Sequence, residues 1–69
     1  MKISARNRLK GTITEITKGA TTAHVRIQIE GSVITASITN EAVDELGLAV
    51  GGEAYAVVKA SDVMIAVDE

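Results

Sequence analysis

The sequence predicts an all-β fold with one short helix, built as an OB-like five-stranded Greek-key barrel. Three observations predict it. Apolar and polar residues alternate at period two along much of the chain, the pattern of half-buried strands. Only residues 39–47 carry helix signals, and they fall between the third and fourth strand-like segments. The resulting order, β, β, β, short helix, β, β, suits a small curled sheet in a chain of 69 residues.

Residues 3–10, ISARNRLK, read as an extended segment. Arg6, Arg8 and Lys10 share one phase and Asn7 and Leu9 the other, giving a basic edge that charge can keep solvated. Residues 11–17, GTITEIT, are rich in Thr and Ile and suit a pleated strand. Lys18, Gly19 and Ala20 turn the chain, and Gly19 is free to take a positive φ. Ala23, Val25, Ile27 and Ile29 then alternate with His24, Arg26, Gln28 and Glu30, so the first set is expected to be buried. Gly31 and Ser32 make the next turn, and Ile34, Ala36 and Ile38 should face the core from the third strand.

Thr39 or Asn40 can cap a helix whose first turn holds Glu41, well placed for the helix dipole. Ala42, Val43 and Leu46 form its apolar stripe, Gly47 ends it, and Leu48 returns to the core. Gly51 and Gly52 turn the chain into the fourth strand, which begins at Glu53. Residues 57–67, VVKASDVMIAV, are small or β-branched apolar residues broken by Lys59, Ser61 and Asp62. They read as two short strands joined by a polar kink. A lysine inside such a run either snorkels to water or meets an anion, because burying an unpaired ammonium is costly.

Composition sets limits on function. The chain makes one domain, residues 1–69. It has no Phe, Trp, Cys or Pro and a single Tyr, so its core must be Val, Ile, Leu and Ala. A chain this short buries on the order of 60% of its unfolded surface. With no disulfide or Cys/His metal staple, a homo-oligomer is expected. Absence of cysteine fits a reducing compartment. The first residues do not read as a signal peptide, and no apolar stretch approaches the roughly 20 residues of a membrane span. Net charge is −2, the basic residues are scattered and stacking aromatics are missing, which argues against nucleic acid.

Enzyme chemistry has little to stand on. The sole histidine, His24, has neither an evident acid partner nor co-ligands for a metal. Glu41, Asp44 and Glu45 fit a solvated helix face, and no phosphate-binding glycine loop occurs. What remains is anion binding. A tetrahedral oxyanion needs fixed positive charge with converging hydroxyl and backbone donors. Those residue types stand at Ser4 with Arg6, at Thr39, and at Lys59 with Ser61. Two copies of the chain could bring all three together, the N-terminal segment of one reaching the Lys59 turn of the other. Each residue also has a plainer role open to it: Ser4 and Asn7 at a strand end, Thr39 as a helix cap, Lys59 paired with Asp62 or with a neighbour's Glu53.

Ser4-Ala5-Arg6-Asn7 followed by Gly11-Thr12-Ile13, then Ile38-Thr39 with Glu45-Leu46-Gly47-Leu48 and Gly51, then Val58-Lys59-Ala60-Ser61-Asp62-Val63, resembles the molbindin (Mop) domains, also called TOBE domains. Three motifs in register over nearly the whole chain make the resemblance specific. It implies an OB-like barrel that binds molybdate and usually tungstate, without enzymatic activity and without a cofactor. It implies a free-standing cytoplasmic protein assembled as a hexamer, a trimer of dimers, with sites between subunits. Its storage or homeostasis role stands beside an alternative, a molybdate-sensing module that works with a separate transporter or transcription partner. Carried onto this sequence, the oxyanion site falls on Ser4, Arg6, Thr39, Lys59, Ala60 and Ser61. Ala42 stands where many members have serine, which removes one hydroxyl donor. A second oxyanion position is expected at the turn of Lys18, Gly19, Ala20, Thr21 and Thr22.

Overall fold

The Thr- and Ile-rich stretch and the basic segment before it fold as a single strand. In the computed structural model, which describes residues 1–68, β1 (Asn7–Lys18) runs for 12 residues. Its N-terminal half pairs with β4 (Glu53–Val58), from Asn7 opposite Val58 to Thr12 opposite Glu53. Its C-terminal half pairs with β2 (Thr22–Ile29), from Thr12 opposite Gln28 to Lys18 opposite Ala23. A bulge between Ile13 and Glu15 bends it between the two partners. β3 (Ser32–Thr39) lies outside β2, so the antiparallel order is β3-β2-β1-β4. The basic segment is thus an open edge only toward β2.

Alternation along β2 works as expected. Ala23, Val25 and Ile27 are buried with Ile13, Val43 and Ala56, and Ile34 and Ile38 pack against them from β3. Ala36 and Ile38 of β3 line one apolar cavity of about 320 Å³ with Ala54 of β4. Those strands are the two edges of the sheet, so the sheet curls until its edges face one another without pairing.

Gly11 sits where β1 passes closest to β2. A Cβ there would meet the Gln28 carbonyl oxygen and lie 2.7 Å from Ile27 Cγ2. Gly11→Ala is expected to destabilise the fold by about 1–3 kcal/mol, the range for overpacking. A lowered urea midpoint with unchanged slope checks it; an unchanged midpoint would show that β1 can move away from β2.

The helix α1 (Asn40–Glu45) starts on Thr39, whose Oγ1 accepts the Ala42 N–H at 3.0 Å. It ends in a Schellman motif. The Leu48 N–H bonds the Val43 carbonyl and the Gly47 N–H the Asp44 carbonyl, both at 3.1 Å, with Gly47 at φ 63. Val43 and Leu48, both in or against the core, complete it. Leu46, expected in the apolar stripe, is 69% exposed, because the helix is too short to bring a second turn over the core. Gly19, free to take a positive φ, does not use that freedom; Gly31, Gly47 and Gly51 do.

The expected fifth strand does not form within the chain. After β4 a 3-10 turn (Ala60–Asp62) redirects the backbone, and residues 63–68 carry no regular structure. A strand needs a partner for its backbone groups, and this segment takes none among the described residues. Met64, Ile65 and Val67 are left 91%, 86% and 84% exposed.

Candidate functional site

The β1–β4 register builds the site. Asn7 opposite Val58 is the last pair, so Arg6 and Lys59 follow as neighbours on the two departing chains. Asn7 secures this end, its Nδ2 donating to the Val58 carbonyl at 3.1 Å. Lys59 then leads into the 3-10 turn, where its carbonyl accepts the Asp62 N–H at 2.9 Å. The result is an open groove of about 610 Å³. Ser4, Arg6, Lys59, Ala60 and Ser61 line it over an apolar floor of Ile3, Ala5 and Val57.

Two cations share this groove. Among the described residues neither Arg6 nor Lys59 forms an ion pair, and Asp62, although it lines the groove, does not pair with Lys59. Lys10, farther along the same strand, is already used. Its ammonium lies 3.1 Å from Glu53, and that hydrogen bond holds its pKa above the usual lysine value. Two neighbouring unpaired cations repel, and an anion between them relieves that repulsion. Around them stand the Ser4 and Ser61 hydroxyls and the N–H groups that head the turn. No charged or polar side chain is buried among the described residues, and none of their His, Asp and Glu cluster as metal ligands.

Thr39 is elsewhere. It pairs with Thr22, beside the Lys18 end of β1, and its Oγ1 is engaged at the helix start. Twelve strand residues separate it from the groove, roughly 35 Å along the strand. Ser4 and Arg6 meet the Lys59 turn of their own chain, and Thr39 is the residue left apart.

The Lys18 turn forms its own cavity, about 230 Å³, lined by Lys18, Gly19 and Thr22 with Thr17 and His24. Ala20 and Thr21 do not line it; the Thr21 carbonyl instead accepts the Asn40 N–H at 2.9 Å. Lys18 Nζ contacts Asp44 Oδ1 at 2.7 Å.

The TOBE domain family matches residues 3–65, a span that includes the groove and the Lys18 turn. The chain belongs to the TOBE domain family. A probable molybdenum-pterin-binding protein of Haemophilus influenzae is 49% identical over 69 residues, 99% of this chain and 100% of that protein. The solved structure of a molybdate-binding protein from Sporomusa ovata matches with a TM-score of 0.92 at 37% identity, over 97% of this chain and 100% of that one. The cytoplasmic molybdate-binding protein ModG, solved with molybdate bound, matches at 0.87 and 48% identity over 93% of this chain and 46% of its own.

The TOBE resemblance carried by the three motifs is thus borne out, as is a mostly β fold with one short helix. Several residues at the sites escaped sequence reasoning. Ile3, Ala5 and Val57 form the groove floor; Ile3 and Ala5 stand between polar neighbours, and Val57 lies in an apolar run that gave no hint of it. Asn7 did not escape it: it takes the strand-end role left open to it. Asp44 and His24 approach the Lys18 turn through folding, and nothing in their local sequence marks that approach.

Proposed function

We propose that this TOBE-domain chain binds molybdate, and tungstate with it, at the Arg6–Lys59 groove, for molybdenum storage or homeostasis in the cytoplasm. One observation carries the reading: two adjacent cations without ion-pair partners among the described residues, set among hydroxyl and backbone donors. The relatives named for molybdate or molybdenum-pterin binding support it.

The groove of about 610 Å³ is far roomier than a tetrahedral ion requires. Selection by size needs a second surface to narrow it. In this reading a second copy supplies that surface together with its Thr39, within a homo-oligomer, a hexamer built as a trimer of dimers. Calorimetric titration with molybdate, tungstate and sulfate tests the function. Tight binding of the first two with negligible heat from sulfate is expected. No heat with molybdate, and no molybdenum retained after dialysis, would overturn it.

The shared site has its own test. Aspartate caps a helix at least as well as threonine, so Thr39→Asp keeps α1 while placing a carboxylate in the anion's path. Molybdate binding is expected to fall below detection with thermal stability unchanged. Full affinity in this variant would show that Thr39 serves the helix alone.

A further inference from the structure

The cavity at the far end of β1 holds a cation that is already occupied. Lys18 lines that cavity, yet its Nζ lies 2.7 Å from Asp44 Oδ1. Asp44 sits on α1, and the start of α1 is tied to the same turn. The Asn40 N–H donates to the Thr21 carbonyl, and Asn40 Nδ2 to the Gly19 carbonyl, both at 2.9 Å. The helix therefore holds the carboxylate over the turn. At the other end of β1, Arg6 and Lys59 have no such partner among the described residues. A dianion at the Lys18 end must compete with Asp44 for the ammonium and sit near a like charge.

We infer that Asp44 is a specificity residue of the Lys18 cavity, keeping small oxyanions out until they outcompete its carboxylate for Lys18. The inference rests on reading the Lys18 turn as a second oxyanion position. It makes the two positions fill in sequence. The groove loads first, and the Lys18 cavity loads when free oxyanion is abundant. Lys18 and Asp44 are both exposed, with side chains 44% and 69% accessible, so the barrier is graded and weakens with salt.

Asp44→Asn tests this, because it removes the charge, keeps the side-chain shape and leaves the Asp44 carbonyl to accept the Gly47 N–H. Molybdate is titrated into the full chain and into the variant at one fixed pH. Amide chemical shifts of Thr17, Gly19 and Thr22 report the cavity; those of Arg6, Lys59 and Ser61 report the groove. In the variant the cavity is expected to half-saturate at roughly three- to tenfold lower molybdate, the scale set by one exposed ion pair and one relieved repulsion. Adding Lys18→Gln to Asp44→Asn should abolish the cavity response while the groove responds as before. An unchanged cavity midpoint, or a cavity that stays silent in Asp44→Asn while the groove fills, would overturn the inference. A silent groove in the unmodified protein is a different outcome and would overturn the proposed function.

Discussion

Arg6→Ala and Lys59→Ala are each expected to weaken molybdate binding by about 10- to 100-fold, and the double variant to abolish it. The magnitude follows from the bonds removed, since a hydrogen bond to a charged group contributes about 1.5–3 kcal/mol. Both side chains are exposed and unpaired among the described residues, so their loss should leave folding stability within about 0.5 kcal/mol. Calorimetry gives the affinity, circular dichroism checks that the sheet is kept, and size-exclusion chromatography checks that the size in solution matches the unmodified protein. Arg6→Lys refines the result. It retains the charge and loses the planar fork, so partial recovery would show that charge matters more than bidentate geometry. Unchanged affinity in both alanine variants would sink the assignment of the groove.

The sheet was legible in the sequence because burial at period two leaves a direct trace. Ala23, Val25 and Ile27 alternate with polar residues, and they are the residues buried in β2. The helix was legible through chemistry at its ends, where Thr39 caps and Gly47 turns the chain. Leu46 was misplaced because a stripe drawn on an ideal helix does not register that this one stops after 6 residues. Site residues were legible as types, since cations and hydroxyls in unusual places invite an anion. Their grouping was not. Only the β1–β4 register sets Arg6 beside Lys59, and only the length of β1 removes Thr39 from both. Pairing across a sheet is a long-range property that local pattern does not encode.

The segment after the 3-10 turn shows most directly where the single chain falls short. Val63, Met64, Ile65 and Val67 read as a strand, yet they lie exposed at 49%, 91%, 86% and 84%. Burying a side chain of this kind stabilises by about 1.5–3 kcal/mol, so Met64, Ile65 and Val67 alone leave roughly 4.5–9 kcal/mol of burial unrealised. A row of apolar side chains with unpaired backbone is a template for adding a strand to another sheet edge. A second copy offers such edges, and it is also where Thr39 must come from if it is to reach the groove. Ending the chain after Asp62 is therefore expected to leave β1 to β4 folded, since among the described residues it removes only the Val63 N–H bond to the Ala60 carbonyl from the backbone bonds beyond the strands. The proposed oligomer should dissociate, as read by sedimentation. Molybdate affinity should fall on the order of a hundredfold or more, the loss of two hydrogen bonds to a charged ligand. A truncated chain that remains oligomeric would place assembly on another face. A truncated monomer that binds as tightly as the full chain would show that the groove of one chain suffices, and that Thr39 only caps its helix.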